Sequence, residues 1–180
     1  MGNIISPFCL FTFGRNHFEK IDPDFKMKEL IQSLKYRKAY DSNNDPVVKL
    51  FTSTDPKTAE LLINALKDIE PGVRQGAALV LGYRLEKSAI MPLVECLNDS
   101  DVYVRSTAIN SLKKLKDIRA VKPLIACLKD PMSQVRRSAV ITLGAISSNE
   151  ALDALKTVVI EENDESIRAL AKSILSKVKS

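Results

Sequence analysis

Four acidic–basic pairs recur along this chain at a single spacing. Asp68/Arg74, Asp99/Arg105 and Asp130/Arg136 each stand six residues apart, and Glu162/Arg168 repeats the interval. A guanidinium is a permanently charged fork that grips two oxygens at once, so two kinds of chemistry fit the pattern. Lined up on an open face, the arginines would form a phosphate-binding row. Turned towards their acids, they would form a ladder, each acid capping a second helix and pairing with an Arg of its own or an adjacent unit. The ladder is the favoured reading, because a partly buried Arg needs a carboxylate partner.

Little else in the chain has the makings of a catalytic centre. There is one histidine, His17, followed by Phe18. No phosphate-binding Gly loop, metal-spaced Cys/His cluster or Ser/His/Asp grouping can be read. Cys96 and Cys127 stand 31 residues apart, where Ala65 and Val158 occupy the flanking units. Equivalent points on stacked helices lie ~8–10 Å apart, beyond the ~7 Å reach of a disulfide. Both read as small core residues, and a sparse, odd set of three cysteines suits a reducing, cytoplasmic compartment. The stretch from Met1 through Gly2 to Ser6 fits an N-myristoylation pattern, and Cys9 could take a second lipid. Six residues match such a pattern easily by chance, so membrane attachment is not the expectation. No run approaches the ~18–20 apolar residues of a membrane span, and the apolar N-terminus lacks the charge and cleavage site of a signal peptide.

The charges are too balanced to demand a polyanion. Of 180 residues, 27 are Lys or Arg and 22 Asp or Glu, a net charge of +5. The excess is spread along the chain: nine basic against seven acidic residues before Thr58, and 18 against 15 from there on. Such a surface tolerates nucleic acid without calling for it.

The elements that position these residues follow from a repeat. Leucines stand at 62, 93, 124 and 155, each 31 residues after the last. A fixed period of this length marks a solenoid, whose units bury their apolar faces against one another. Within each unit a first stripe runs i, i+3, i+7 (Ile90/Leu93/Leu97, Val121/Leu124/Leu128) and a second runs i, i+4, i+8 (Val104/Ala108/Leu112, Val135/Ala139/Leu143). Both are helical faces. Asp, Asn, Ser, Gly and Pro between the stripes predict turns, and Pro92 and Pro123 fall near the start of first helices, where a missing N–H costs least. In the first unit the second stripe departs at Arg84; in the last it runs one residue late, as Ile167/Ala171/Leu175.

This gives an expected all-α chain of regular helix–turn–helix repeats at 58–87, 88–117, 118–148 and 149–180. A degenerate repeat is expected at 26–57, with a short helix after Pro46. Residues 1–25 are expected to cover the N-terminal end of the stack with Phe8, Phe11, Phe13 and Phe18. Lys172, Lys177 and Lys179 would keep the last helix wet.

The segment from Ala120 through Pro123, Leu124, Asp130, Val135, Arg136, Ala139 and Leu143 to Ile146 closely resembles the short HEAT-like repeats of phycobilisome lyases. The resemblance covers 58–180 well, 26–57 loosely and 1–25 hardly. It implies a right-handed α-α superhelix, a HEAT-like solenoid. HEAT-like relatives include enzymes; bilin lyases share the repeat most directly and offer no sharp motif to check, while two others meet an objection here. Deoxyhypusine hydroxylase is similar in fold but holds iron through several His-Glu pairs, and this chain has no such pair. Repeat-type DNA glycosylases need an aromatic, basic concave face, and this chain has no Trp. The residues therefore favour a non-catalytic scaffold with no cofactor or metal, binding a protein or peptide on the concave side of the second helices, whose outward positions repeat in rows. The candidate lining is Gln75, Leu79, Tyr83, Ser106, Asn110, Lys114, Arg137 and Ile141, with Leu79 and Ile141 apolar where solvent is expected. The alternatives are a lyase-type subunit acting on a prosthetic group, and weak nucleic-acid binding.

Overall fold

Two apolar stripes per period cannot both be buried by one isolated hairpin, so the hairpins stack. The computed structural model describes residues 23–36 and 46–178, and every regular element among them is helical. In chain order these are α1 (Pro23–Gln32), α2 (Pro46–Thr52), α3 (Lys57–Ala65), α4 (Pro71–Tyr83), α5 (Ile90–Glu95), α6 (Val102–Leu115), α7 (Val121–Ala126), α8 (Ser133–Ile146), α9 (Asn149–Glu161) and α10 (Glu165–Val178). Short 3-10 turns flank α5 and α7, so these first helices are composites. Pro92 and Pro123 sit in their first turns, where the backbone N–H has no intrahelical acceptor to lose. The segment expected to cap the stack, 1–25 with Phe8, Phe11, Phe13 and Phe18, lies almost wholly outside the described residues, as do His17 and the Gly2 motif.

The periodic residues are the core. Leu62, Leu93, Leu124 and Leu155 are completely buried, as are Val73/Ala77/Leu81, Val104/Ala108/Leu112 and Val135/Ala139/Leu143. Alanines in the middle of the second stripe let α4, α6 and α8 approach closely. Gly82 takes this furthest: a Cβ built there would stand 2.4 Å from Ser111 Oγ. The Ser111 hydroxyl in turn donates to the Ala78 carbonyl of the preceding hairpin at 2.7 Å.

Second helices consequently pack along one another as a continuous layer, whereas first helices are splayed. The splay leaves clefts of about 430 Å³ between the α3 and α5 segments and about 510 Å³ between the α7 and α9 segments. A double layer with one set of rods closer than the other bends towards the closer set. The second helices therefore line the inside of the curve.

Turns and ends follow their own local chemistry. The residues closing α4, α6 and α8 include Leu85, Lys116 and Ser147, all with left-handed φ of 54°, 50° and 54°. They too are 31 apart, and each holds a conformation that favours glycine. Arg84 stands where Leu115 and Ile146 stand in later units. Its Nη1 donates to the carbonyls of Leu50, Phe51 and Ser53 at 3.0, 3.1 and 2.8 Å, satisfying the C-terminus of the short α2. At the other end, Lys172 of α10 occupies the position that Ala78, Ile109 and Val140 fill in the earlier second helices. Those three are fully buried, while Lys172 is exposed. A lysine there keeps the last face polar.

Candidate interaction surface

Two polar features run along the stack. The first is the arginine ladder, on the edge where first helices turn into second helices. Arg74 reaches into the next hairpin, its Nε and Nη2 donating to Asp99 Oδ2 and Oδ1 at 2.7 Å each. Its Nη1 donates backwards, to the carbonyls of Asp68 and Ile69 at 2.9 and 3.0 Å. Arg105 does the same with Asp130 (2.8 and 3.2 Å) and with the carbonyls of Asp99 and Ser100. Arg136 repeats it with Glu162 (2.9 and 3.0 Å) and the carbonyls of Asp130 and Pro131. So the six-residue spacing joins each Arg to the backbone of its own acid, while the carboxylate serves the Arg of the preceding unit.

The ladder is finished differently at its ends. Asp68, in the first regular unit, accepts from Gln32 Nε2 of α1 at 2.7 Å. Arg168 keeps the backward half, donating from Nη1 to the carbonyls of Glu162 and Asn163.

One expectation needs correction. Asp68, Asp99 and Asp130 do not cap the second helices. Each accepts the N–H two residues on, from Glu70, Asp101 and Met132, at 2.8–2.9 Å, as Glu162 does from Asp164. These contacts shape the loop ahead of the helix. The cap itself falls to Asp101 for α6 and to Asp164 for α10. For Asp99 and Asp130 the Arg fork fixes the carboxylate over the loop, short of the capping position.

Electrostatics agree with a structural role. The Arg74–Asp99, Arg105–Asp130 and Arg136–Glu162 side chains are only 8–18% exposed. Burial pushes the Asp99 carboxyl up, but the Arg74 fork and the Asp101 N–H outweigh it and hold it below its ordinary 3.8. The Arg136 bond likewise holds Glu162 below 4.5, against the pull of burial. Arg74 and Arg136 are raised in turn by those same bonds. Cys96 and Cys127 are free and buried, and burial lifts both thiols to about 11, which leaves them protonated and poor nucleophiles.

The second feature is the inner face of α2, α4, α6, α8 and α10. Tyr83, Asn110, Lys114 and Arg137 are exposed on the second helices; Gln75, Leu79 and Ile141 are half-buried. Leu79 packs its inner side against the core. Ser106 departs from its expected outward position: it is 5% exposed. Mid-stack helices approach so closely that a side chain as short as serine does not clear its neighbours. Tyr83 meets Phe51 edge-to-face at 6.2 Å, and Lys114 Nζ lies 4.2 Å from the centroid of the Tyr83 ring. Three successive hairpins are thus tied across the face by one aromatic–cation cluster. Phe51 escaped the sequence reading, although the 31-residue offset that puts Val48 in the row of Leu79 places it one residue from the row of Tyr83.

The sequence pattern of HEAT repeats matches residues 59–133 and 90–176. The chain belongs to the HEAT-repeat family. No curated protein matches it. Among solved structures, this HEAT-repeat chain is similar to the complex of CpcE and CpcF of phycocyanin lyase from Nostoc sp. PCC7120, with a TM-score of 0.71 at 16% identity over 82% of this chain and 96% of that one. It is also similar to an engineered protein (TM-score 0.55, 18% identity, 89% and 93% covered). A designed armadillo repeat protein in complex with the peptide (KR)4 matches with a TM-score of 0.54, at 18% identity over 83% and 80%. At such identities the likeness is one of fold. Among the described residues no helix is long and apolar enough to cross a membrane.

Proposed function

We propose that this HEAT-repeat protein is a non-catalytic interaction scaffold that binds a protein or peptide along its concave face. One observation carries the reading. The ladder places an acid and an Arg in each regular unit and pairs Arg74, Arg105 and Arg136 with the next unit's acid, whereas the concave positions change from unit to unit and keep exposed aromatic and cationic side chains. Repeated, satisfied contacts are what stacking needs; varied, unsatisfied ones are what recognition needs. Gln75, Leu79, Tyr83, Asn110, Lys114, Arg137 and Ile141 form the contact set, with Phe51 added and Ser106 beneath it. The fold shared with the designed repeat protein that holds a peptide supports the same reading.

Affinity purification from the native host, read by mass spectrometry, tests it. Partners captured by the wild type should be lost from a Tyr83→Asp/Ile141→Asp double variant that keeps its far-ultraviolet circular dichroism. Partners retained by the folded variant would place binding elsewhere. The similarity to a lyase pair motivates one other reading, a lyase-type subunit acting on a prosthetic group. A pigment or metal copurifying in stoichiometric amount would favour that reading instead.

A further inference from the structure

Charge is divided between the two layers. The helices α4, α6, α8 and α10 together hold nine Lys and Arg against a single carboxylate, Glu165. The first helices α3, α5, α7 and α9 hold three basic residues against five acidic ones. Arg74, Arg105 and Arg136 are consumed by the ladder. On the concave positions Lys114 and Arg137 are exposed with no carboxylate within ion-pair distance among the described residues, whereas Lys113 and Lys172 stand at stacking positions, in line with Gly82 and Val140. A modest overall charge thus hides a mainly basic layer of second helices.

Apolar groups run beside these cations. Val48 and Phe51 on α2, at 43% and 46% exposed, continue through Tyr83 at 49% to the partly exposed Leu79 and Ile141. Resting on the concave-face reading above, we infer that the partner is an acidic peptide segment carrying aliphatic or aromatic side chains, held by charge complementarity to Lys114 and Arg137. Stacked hairpins advance ~8–10 Å each, and extended chain rises ~3.3 Å per residue. Leu79 and Ile141, two hairpins apart, are therefore bridged by about six residues. The recognised segment places two apolar side chains at about that separation, with Asp or Glu between and beyond them. The apolar row sets this occupant apart from a phosphate backbone, which has nothing to place on it.

Panning a phage-displayed library of random peptides of about 12 residues, enough to cross three hairpins at ~3.3 Å per residue, on the immobilised full-length chain tests the inference. Enriched peptides should be net negative with two or more large apolar residues. Synthesised with a fluorescent label, they should bind roughly tenfold or more weakly to Lys114→Glu/Arg137→Glu. Binding should also fall severalfold between about 0.1 and about 1 M NaCl, as the screening length shrinks from ~10 to ~3 Å. Neutral or basic peptides that still depend on Tyr83 and Ile141 would overturn the acidic partner and leave the concave face standing. Peptides indifferent to every concave substitution, or no enrichment at all, would overturn both. A duplex oligonucleotide that outcompetes the best peptide at physiological salt, and loses that advantage on Arg137→Glu, would replace the peptide with nucleic acid.

Discussion

Arg136 and Arg137 are neighbours in sequence and opposites in situation. Arg136 lies against Glu162 and two loop carbonyls, with its side chain 18% exposed. Arg137, a helical step away, turns to the concave side and is exposed with no carboxylate partner among the described residues. The ladder edge and the concave face are this contrast extended along the whole stack. One spends charge on holding hairpins in register; the other leaves charge available. An arginine's identity says nothing about which; its place relative to the neighbouring hairpin says everything.

Substitution sharpens the contrast. Arg105→Ala or Arg136→Ala strands a mostly buried carboxylate and should cost about 3 kcal/mol, read as a lower denaturant midpoint at unchanged slope. Were either variant to lose less than ~0.5 kcal/mol, a typical surface effect, the ladder would be ornament. Gly82→Ala should cost about 2 kcal/mol, as overpacked cores do, because the new Cβ meets the Ser111 side chain and its backbone Cα at 2.4–2.8 Å. A milder change runs the other way: Lys116→Gly should stabilise by about 1 kcal/mol, since only glycine holds a left-handed φ without penalty. At the small end, Arg137→Ala should move stability by less than ~0.5 kcal/mol while weakening partner capture.

Acid offers a second way to separate the two regions. Asp99 and Glu162 have folded values below their ordinary 3.8 and 4.5. The unfolded chain therefore takes up protons first. The ladder's contribution is complete above those ordinary values and drains away as pH falls from them through the folded ones. Urea midpoints should be level from neutrality to about pH 5 and decline below it. Arg136→Ala, which removes the partner of Glu162, should flatten the decline, and Arg137→Ala should leave it intact. A decline of the same size in both variants would trace acid sensitivity to other groups.

Much of this was legible from the residues. The period of 31, the two helical stripes, the buried identity of Leu62 through Leu155 and the pairing of acids with arginines are all encoded by nearest-neighbour spacing. A solenoid makes such spacing informative, because each unit meets only the units beside it. What spacing could not carry was distance across the stack. Which hairpin's acid each Arg grips, why Asp99 shapes a loop while Asp101 caps the helix, and why Arg84 turns back to α2 all depend on how far one hairpin stands from the next. The same closeness buries Ser106 and joins Phe51, Tyr83 and Lys114 into one cluster. Sequence determined what repeats, because burial follows the helical period. Tertiary structure decided what each repeated residue touches, because small residues such as Gly82 and Ser111 set how near the helices come.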